Sequence, residues 1–347
     1  MSEVPPNPRG PRLRELGLRI GELEHGATDS IADVPGVRVG HVTVWRDEPE
    51  PPEGRGIART GVTAIVPELL PLRAGVAVLN GAGELTGSHE IREWGTIETP
   101  VYLTATMAVG RVYDGAVAVA VRGDPRVGVD DVVIPVVGEC DDSYLSEARL
   151  VQVEAADAGR AVEGAGGWPF DEGAVGAGTG MSCLGWKGGI GSASRVAGSH
   201  MVGVLVLANF GSARQLRVAG VPVGQTLPGG GRSQPAGSCI AVVATDTPLS
   251  PASLERVARR AGLGLARTGS VAHHGSGEIF LGFSTADGDE LAGPELDALF
   301  AATVDATEEA VLNALWAAPD VVGREGRVER GLPHDQVLEL LRDRGVL

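Results

Sequence analysis

The stretch PGGGRSQPAGSCIAVVAT, residues 228–245, runs a glycine- and proline-rich loop straight into an uninterrupted apolar segment. The loop half has the composition of a flexible linker and no hydrophobic periodicity. The apolar half, residues 240–244, is dominated by Val and Ile and reads as a strand buried on both faces. Gly237 and Ser238 form the junction. A serine that opens a core strand after a flexible loop has a specific chemical use. If its hydroxyl attacks the preceding carbonyl, an N-to-O acyl shift followed by hydrolysis cuts the chain and exposes a serine with a free α-amine. Gly237 carries no Cβ to hinder that attack. The new amine, with an ordinary pKa of about 7.7 to 8.0, can act as the base for its own hydroxyl near neutrality.

Outward from this junction, strand-like runs occur at residues 37–45, 62–66, 76–79, 132–137, 201–208 and 279–283. Helical patterns fall at 104–121, 151–162, 251–267, 294–317 and 334–342, the third opened by Ser250 as N-cap with Pro251 at the first helical position. Strands and helices interleave from end to end, which makes the class α/β with α+β layering. The segment 173–191, containing GAGTGMSCLGWKGGIG, reads as a second loop with little regular structure, a close-packed backbone crossing the sheet. Lys187 is expected over the site or on the surface.

Composition sets the outer bounds. The chain has 347 residues and a formal net charge of -16, with 43% hydrophobic and 21% charged residues, as in a globular protein with a sizeable core. An acidic balance repels phosphate backbones and anionic lipid, and no local basic patch offsets it, so neither nucleic acid nor membrane is expected as a partner. Cys140, Cys183 and Cys239 form no CxxC pair, which fits a reducing cytoplasm better than a disulfide framework. The proline- and arginine-rich residues 1–16 lack the apolar region of an export signal. Of the 29 Lys and Arg residues, only Lys187 is lysine.

Other catalytic templates fail. No serine sits in GxSxG, and Gly176, Gly178 and Gly180 do not match GxGxxG. Lys187 is followed by Gly188 where a phosphate loop needs Ser or Thr, and Glu93 stands where the pattern begun by His89 and Glu90 needs a second His. His273 and His274 are adjacent but form no metal-ligand spacing, so no metal and no cofactor is expected.

The motifs around the junction resemble the DmpA-like L-aminopeptidase/D-esterase family, which includes the β-peptidyl aminopeptidases. The resemblance runs through LRELGL (13–18), IADVPGVRVGH (31–41), RTGVTAI (59–65), NGAGELTG (80–87) and GAGTGMSCLGWKGGIGSASR (176–195). It continues through GVLVLANFG (203–211), GSCIAVVATDTPLS (237–250), ARRAGLGLARTGS (258–270) and GSGEIFLGFST (275–285). It implies a four-layer αββα sandwich of the DmpA/ornithine acetyltransferase type. After a lead-in at residues 1–30 comes one catalytic domain, 31–347, cleaved into chains 1–237 and 238–347. The cleaved pairs are expected to form a homo-oligomer, a tetramer of pairs.

Carried over by motif, Ser238 matches the nucleophile, and Ser276 with Glu278 match the SGE element that orients its proton transfer. Asn209 of ANFG matches the oxyanion donor, and Tyr144 of DDSYL a tyrosine that helps stabilise the same oxygen. Neutral donors such as an amide and a phenol suit a tetrahedral intermediate. Glu139, or its rival Asp142, is the expected anion for a substrate ammonium. The departures are Ala82 within NGAGE, Cys239 after the nucleophile and Leu207 before ANFG, which bear on the substrate pocket. The expected activity is release of N-terminal residues from small peptides, amides or esters with a free amine through an acyl-Ser238 intermediate. The alternatives are hydrolysis of another small amide of pantetheine type, acyl transfer, or a non-catalytic binding protein on this fold. Purified protein should therefore run as two fragments of about 24 and 11 kDa, the residue shares of 35.6 kDa, and Ser238→Ala as one full-length chain. Intact mass spectrometry showing a single chain for active wild type would contradict the N-terminal-nucleophile reading.

Overall fold

The computed structural model describes residues 12–227, 229 and 237–347. The expected cleavage loop, apart from Gly229 and Gly237, and the first residues of the lead-in lie outside the described residues. Strands β1 (Val37–Asp47), β2 (Ile57–Pro67) and β3 (Leu72–Gly81) come first, then α1 (Ser88–Trp94), β4 (Thr96–Ile97) and β5 (Val101–Ala105). Helix α2 (Val109–Gly123), β6 (Val136–Cys140) and α3 (Ala156–Glu163) follow. Two short strands, β7 (Ser182–Cys183) and β8 (Trp186–Lys187), lead into β9 (Gly189–Ala197) and β10 (His200–Ala208). After α4 (Val223–Thr226) come β11 (Cys239–Thr245), α5 (Pro251–Arg259), α6 (Ala261–Arg267) and β12 (Gly277–Ser284). The last elements are α7 (Leu296–Ala317), β13 (Val321–Val322), β14 (Val328–Glu329) and α8 (His334–Asp343).

Two sheets stack face to face between two helical layers. One sheet has the order β1-β2-β5-β6 and the other β4-β3-β12-β11-β10-β9. Helices α2 and α3 cover the first sheet, while α5 and α7 cover the second with α6 packed on α7. The result is the expected αββα sandwich. Alternation along each strand explains the continuous apolar runs. On β11, Ile240, Val242 and Ala244 enter the core between the sheets, where they meet Ile65, Leu103 and Val136. Cys239, Ala241 and Val243 enter the core beneath the helices, with Leu254, Val257 and Leu315. A third core lies between the first sheet and α2 and α3. Leu13, Leu18 and Ile20 of the lead-in are buried in the helix-side core.

Several boundaries differ from the sequence reading. The expected helix at 104–121 begins only at Val109, because Val101, Tyr102 and Leu103 pair with β2, and Thr104 and Ala105 with β6. The strand expected at 132–137 starts at Val136, since Pro135 cannot donate to a ladder, and Val132 is exposed. The expected helix 251–267 divides at Arg260. Its second part contains Gly262 and Gly264, which lower helix propensity, and a side chain on Gly264 would press on the Val304 carbonyl of α7. Ser250 does cap α5, accepting from Ser253 N. The segment 173–191 is more ordered than expected, carrying a 3-10 turn, β7, β8 and the start of β9.

The small residues of β9 (GIGSASRVA) serve close approach to α7. A Cβ on Gly191 would overlap Ala310 O and sit 2.6 Å from Ala314 N and 2.8 Å from Ala314 Cβ. These are mostly backbone atoms of a buried helix and cannot step aside. Gly191→Ala should therefore destabilise the protein by about 1–3 kcal/mol or more through overpacking, read as a lowered denaturation midpoint. An unchanged midpoint would show that α7 can slide on the sheet.

Candidate active site

Strand registers bring the distant motifs together. Antiparallel pairing of β10 with β11 sets Ala208 opposite Cys239. Parallel pairing of β11 with β12 sets Cys239 opposite Glu278, which in turn lies opposite Asn80 of β3. Asn209 and Ser238, each one residue beyond a paired end, meet at the sheet rim, where Asn209 N–H donates to Ser238 O at 3.1 Å. From the other sheet, β5 and β6 pair Thr104 with Glu139 and Ala105 with Cys140, so Glu139 and Asp141 arrive at the same rim.

A cleft of about 660 Å³ opens there. It is lined by Gly237, Ser238 and Ser276, by Ala82, Gly83 and Glu84, by Thr106, Glu139 and Asp141, and by His273, His274 and Gly275. Ser238 is 4% exposed, with φ of 143°. A Cβ on Gly237 would come within 2.8 Å of Gly275 O, so glycine is also required for space before the serine. Ser276 Oγ donates to Glu278 Oε1 in a short bond. Glu278 is fully buried, and burial raises its pKa against the hydroxyl of Ser276, the amide of Asn80 and the nearby His273. Asn80 Nδ2 also donates to His273 O at 2.8 Å, tying the β3 end to the loop before Ser276.

Glu139 is 3% exposed and fully engaged. Its Oε1 accepts Glu84 N–H at 2.9 Å, and its Oε2 accepts a short bond from Thr106 Oγ1. Burial raises its pKa, and these two donors pull it back. Asp141 is half-buried in the cleft and accepts from Ser143 N and Oγ, each at 2.9 Å. Asn209 is held from both sides: Ser182 N donates to Oδ1 at 2.9 Å, and Nδ2 donates to Asp141 O at 3.0 Å.

Ser238, Ser276, Glu139 and Gly237 thus share the cleft, with Glu278 reached through Ser276 and Asn209 joined to Ser238 by its backbone. Two further candidates, like Glu278 and Asn209, are not among the residues that line the cleft. Asp142 is buried beside Thr60 and Gly180, where burial pushes its pKa up to about 7, and Asp141 takes the cleft position. Tyr144 packs against the Leu145, Ala174 and Val321 cluster, with the Arg327 guanidinium 5.2 Å from its ring centroid, and is not among the cleft's lining residues. Sequence reasoning passed over Asp141, Glu84, Thr106 and His274. Glu84 was visible within NGAGELTG, and His274 in the histidine pair, but neither pattern by itself announces a cleft.

Among the described residues, His25, Asp29 and Glu309 form the group of metal-ligand type. A guanidinium already sits between its carboxylates: Arg195 binds Glu309 Oε2 and approaches Asp29 Oδ1 at 3.4 Å. Also among the described residues, no helix is long and apolar enough to cross a membrane.

The four-layer αββα architecture is shared with aminopeptidases of the Ntn hydrolase fold. The model of peptidase family S58 matches residues 29–329, and the chain belongs to that family. It is 40% identical over 96% of its length to β-peptidyl aminopeptidase BapA of Sphingosinicella xenopeptidilytica, 92% of which is covered. The L-aminopeptidase D-Ala-esterase/amidase of Ochrobactrum anthropi, a variant of the Ntn hydrolase fold, superposes with a TM-score of 0.91 at 37% identity, covering 97% of this chain and all of that one. A Burkholderia sp. β-aminopeptidase superposes with a TM-score of 0.87 at 41% identity, covering 96% and 99%. The chain is accordingly an aminopeptidase-type hydrolase.

The Glu139 contacts fix the sign of a pH effect. The Thr106 hydroxyl favours the ionised carboxylate, so Thr106→Val leaves Glu139 protonated to higher pH. The acid limb of kcat/KM should then move to higher pH. A limb at the wild-type position in that variant would show that Glu139 ionisation does not govern activity.

Proposed function

We propose that the protein cleaves itself between Gly237 and Ser238 and then removes N-terminal residues from small peptides, amides or esters through an acyl-Ser238 intermediate. The observation that carries this reading is the meeting of Gly237, Ser238 and Ser276 with Glu139 and Asp141 on one cleft. In self-processing, Ser238 Oγ attacks the Gly237 carbonyl, the C–N bond breaks as the C–O ester forms, and the hydroxyl proton passes to the new amine. Water then hydrolyses the ester, leaving a Gly237 carboxylate and a free Ser238 hydroxyl. The φ of 143° at Ser238 supports this order of events. An L-residue rarely adopts that conformation, which stores about 1–3 kcal/mol that cleavage releases.

In turnover the Ser238 amine takes the proton from Oγ, and Oγ adds to the substrate carbonyl. The leaving amine departs with that proton, and water hydrolyses the acyl ester by the reverse route. The Ser276–Glu278 pair orients the nucleophile. Asn209 offers the second hydrogen of Nδ2 to the developing oxyanion, a role that suits a side chain held on both sides before the reaction begins. Glu139 and Asp141 receive the substrate ammonium, Asp141 being the more exposed of the two. The relatives named for β-peptidyl and for L-aminopeptidase activity support a substrate with a free amine one or two carbons from the scissile carbonyl.

Acetylating the amine of a small amide removes the charge that these carboxylates bind. Its kcat/KM should fall roughly 10²-fold below that of the free amine, the scale for losing one partner of a desolvated charge pair. Equal cleavage of both substrates would remove the exopeptidase reading.

A further inference from the structure

Lys187 is the one lysine in a chain that otherwise uses arginine. Its side chain is fully buried, contrary to the surface or site-covering position its sequence context suggests. Nζ donates to three carbonyl oxygens: Gly178 at 2.9 Å, Met181 at 2.6 Å and Gly188 at 2.7 Å. Carbonyls only accept, so three such bonds require all three ammonium protons. The charged groups facing it are Glu329 and Asp142, with the Cys183 thiol also near. A guanidinium spreads its donors across a plane and cannot place three of them around one point, which accounts for lysine here.

One of those acceptors leads to the active site. The Met181 carbonyl, which also accepts Gly188 N–H at 3.0 Å, belongs to the same peptide group as the Ser182 N–H. That N–H donates to Asn209 Oδ1 at 2.9 Å. A cation on the oxygen of a peptide polarises its N–H, and a stronger bond to an amide oxygen makes the opposite NH₂ a better donor. Leu184 N–H, bonded to Phe210 O at 2.6 Å, holds the next residue of the Asn209 segment to the same loop.

We infer that Lys187 is a positioning residue that sets the orientation and donor strength of Asn209 through the Met181–Ser182 peptide group. The inference rests on Asn209 acting as oxyanion donor, and a double-mutant cycle separates the two. Wild type, Lys187→Met, Asn209→Ala and the double variant are assayed on an aminoacyl p-nitroanilide, with rates normalised to the processed chain that begins at Ser238. Asn209→Ala should lose roughly 10² to 10³ in kcat. Lys187→Met should lose about tenfold or more in kcat with little change in KM, and less than about twofold once Asn209 is alanine. Equal losses in both backgrounds make Lys187 a structural residue only and overturn the inference. Near-wild-type kcat in Asn209→Ala removes the oxyanion reading and the inference with it.

A second measurement needs no lysine variant. Because Lys187 is unique, lysine labelled with ¹⁵N at Nζ reports it as a single NMR signal. Phosphonylating Ser238 with a diphenyl aminoalkylphosphonate places an anionic oxygen where the tetrahedral intermediate forms. The signal should move in wild type and stay fixed in Asn209→Ala. A signal that stays fixed in phosphonylated wild type, or moves equally in both proteins, overturns the inference.

Discussion

The site depends on the shared register of β10, β11 and β12. The mixed pairing, antiparallel on one side of β11 and parallel on the other, sets Ala208, Cys239 and Glu278 in one row across the sheet. Asn209 and Ser238 follow directly from that row. A shift of one residue in β11 would turn Ile240 and Val242 out of the core between the sheets, so burial on both faces locks the register. The meeting of Asn209 and Ser238 at the sheet rim is thus inherited from ordinary sheet packing.

A second constraint is the handling of buried charge. Moving a cation into the interior is costly unless its donors are matched. Arg195, fully buried, bonds to the carbonyls of Ser194 and Ile20 as well as to Glu309, which ties β9 to the lead-in and to α7. Arg12 extends the same network from the lead-in to Thr28 O, Asp29 O and Ser192 O. Lys187, two residues before β9 begins, makes the corresponding arrangement with three backbone carbonyls as partners. Lys187 holds glycine-rich backbone, the carbonyls of Gly178 and Gly188 among its partners, and Arg195 holds the carbonyls of Ser194 and Ile20.

The cleft is polar and asymmetric in charge. Glu84, Glu139 and Asp141 come from the ends of β3 and β6, while His273 and His274 come from the loop before β12. Glu139 spends both oxygens on Thr106 and the Glu84 N–H, which fixes its position at the expense of its freedom to reorient. Asp141 is the more exposed of the two, and its oxygens accept from Ser143 N and Oγ.

The sequence by itself determined the layered class, the junction at Ser238 and the strand ends that carry Asn209 and Glu278. Each of these is written locally, as an apolar run of β-branched residues bounded by turn chemistry, or as a motif lying wholly within one strand end. The tertiary structure decided what depends on partners remote in the chain. Asp141 rather than Asp142 lines the cleft because the chain turns directly after β6, and Tyr144 is drawn to Leu145, Ala174 and Val321. The segment 173–191 holds more structure than its composition suggests because α7 at its two ends, and β2, Ala208 and Ala213 between them, press on its glycines, and Lys187 lies inside because the carbonyls of Gly178, Met181 and Gly188 converge on one ammonium. Local sequence carries propensity and periodicity. It carries neither the direction of a side chain at a strand end nor the solvation of a charge, and both are set by whatever packs against them.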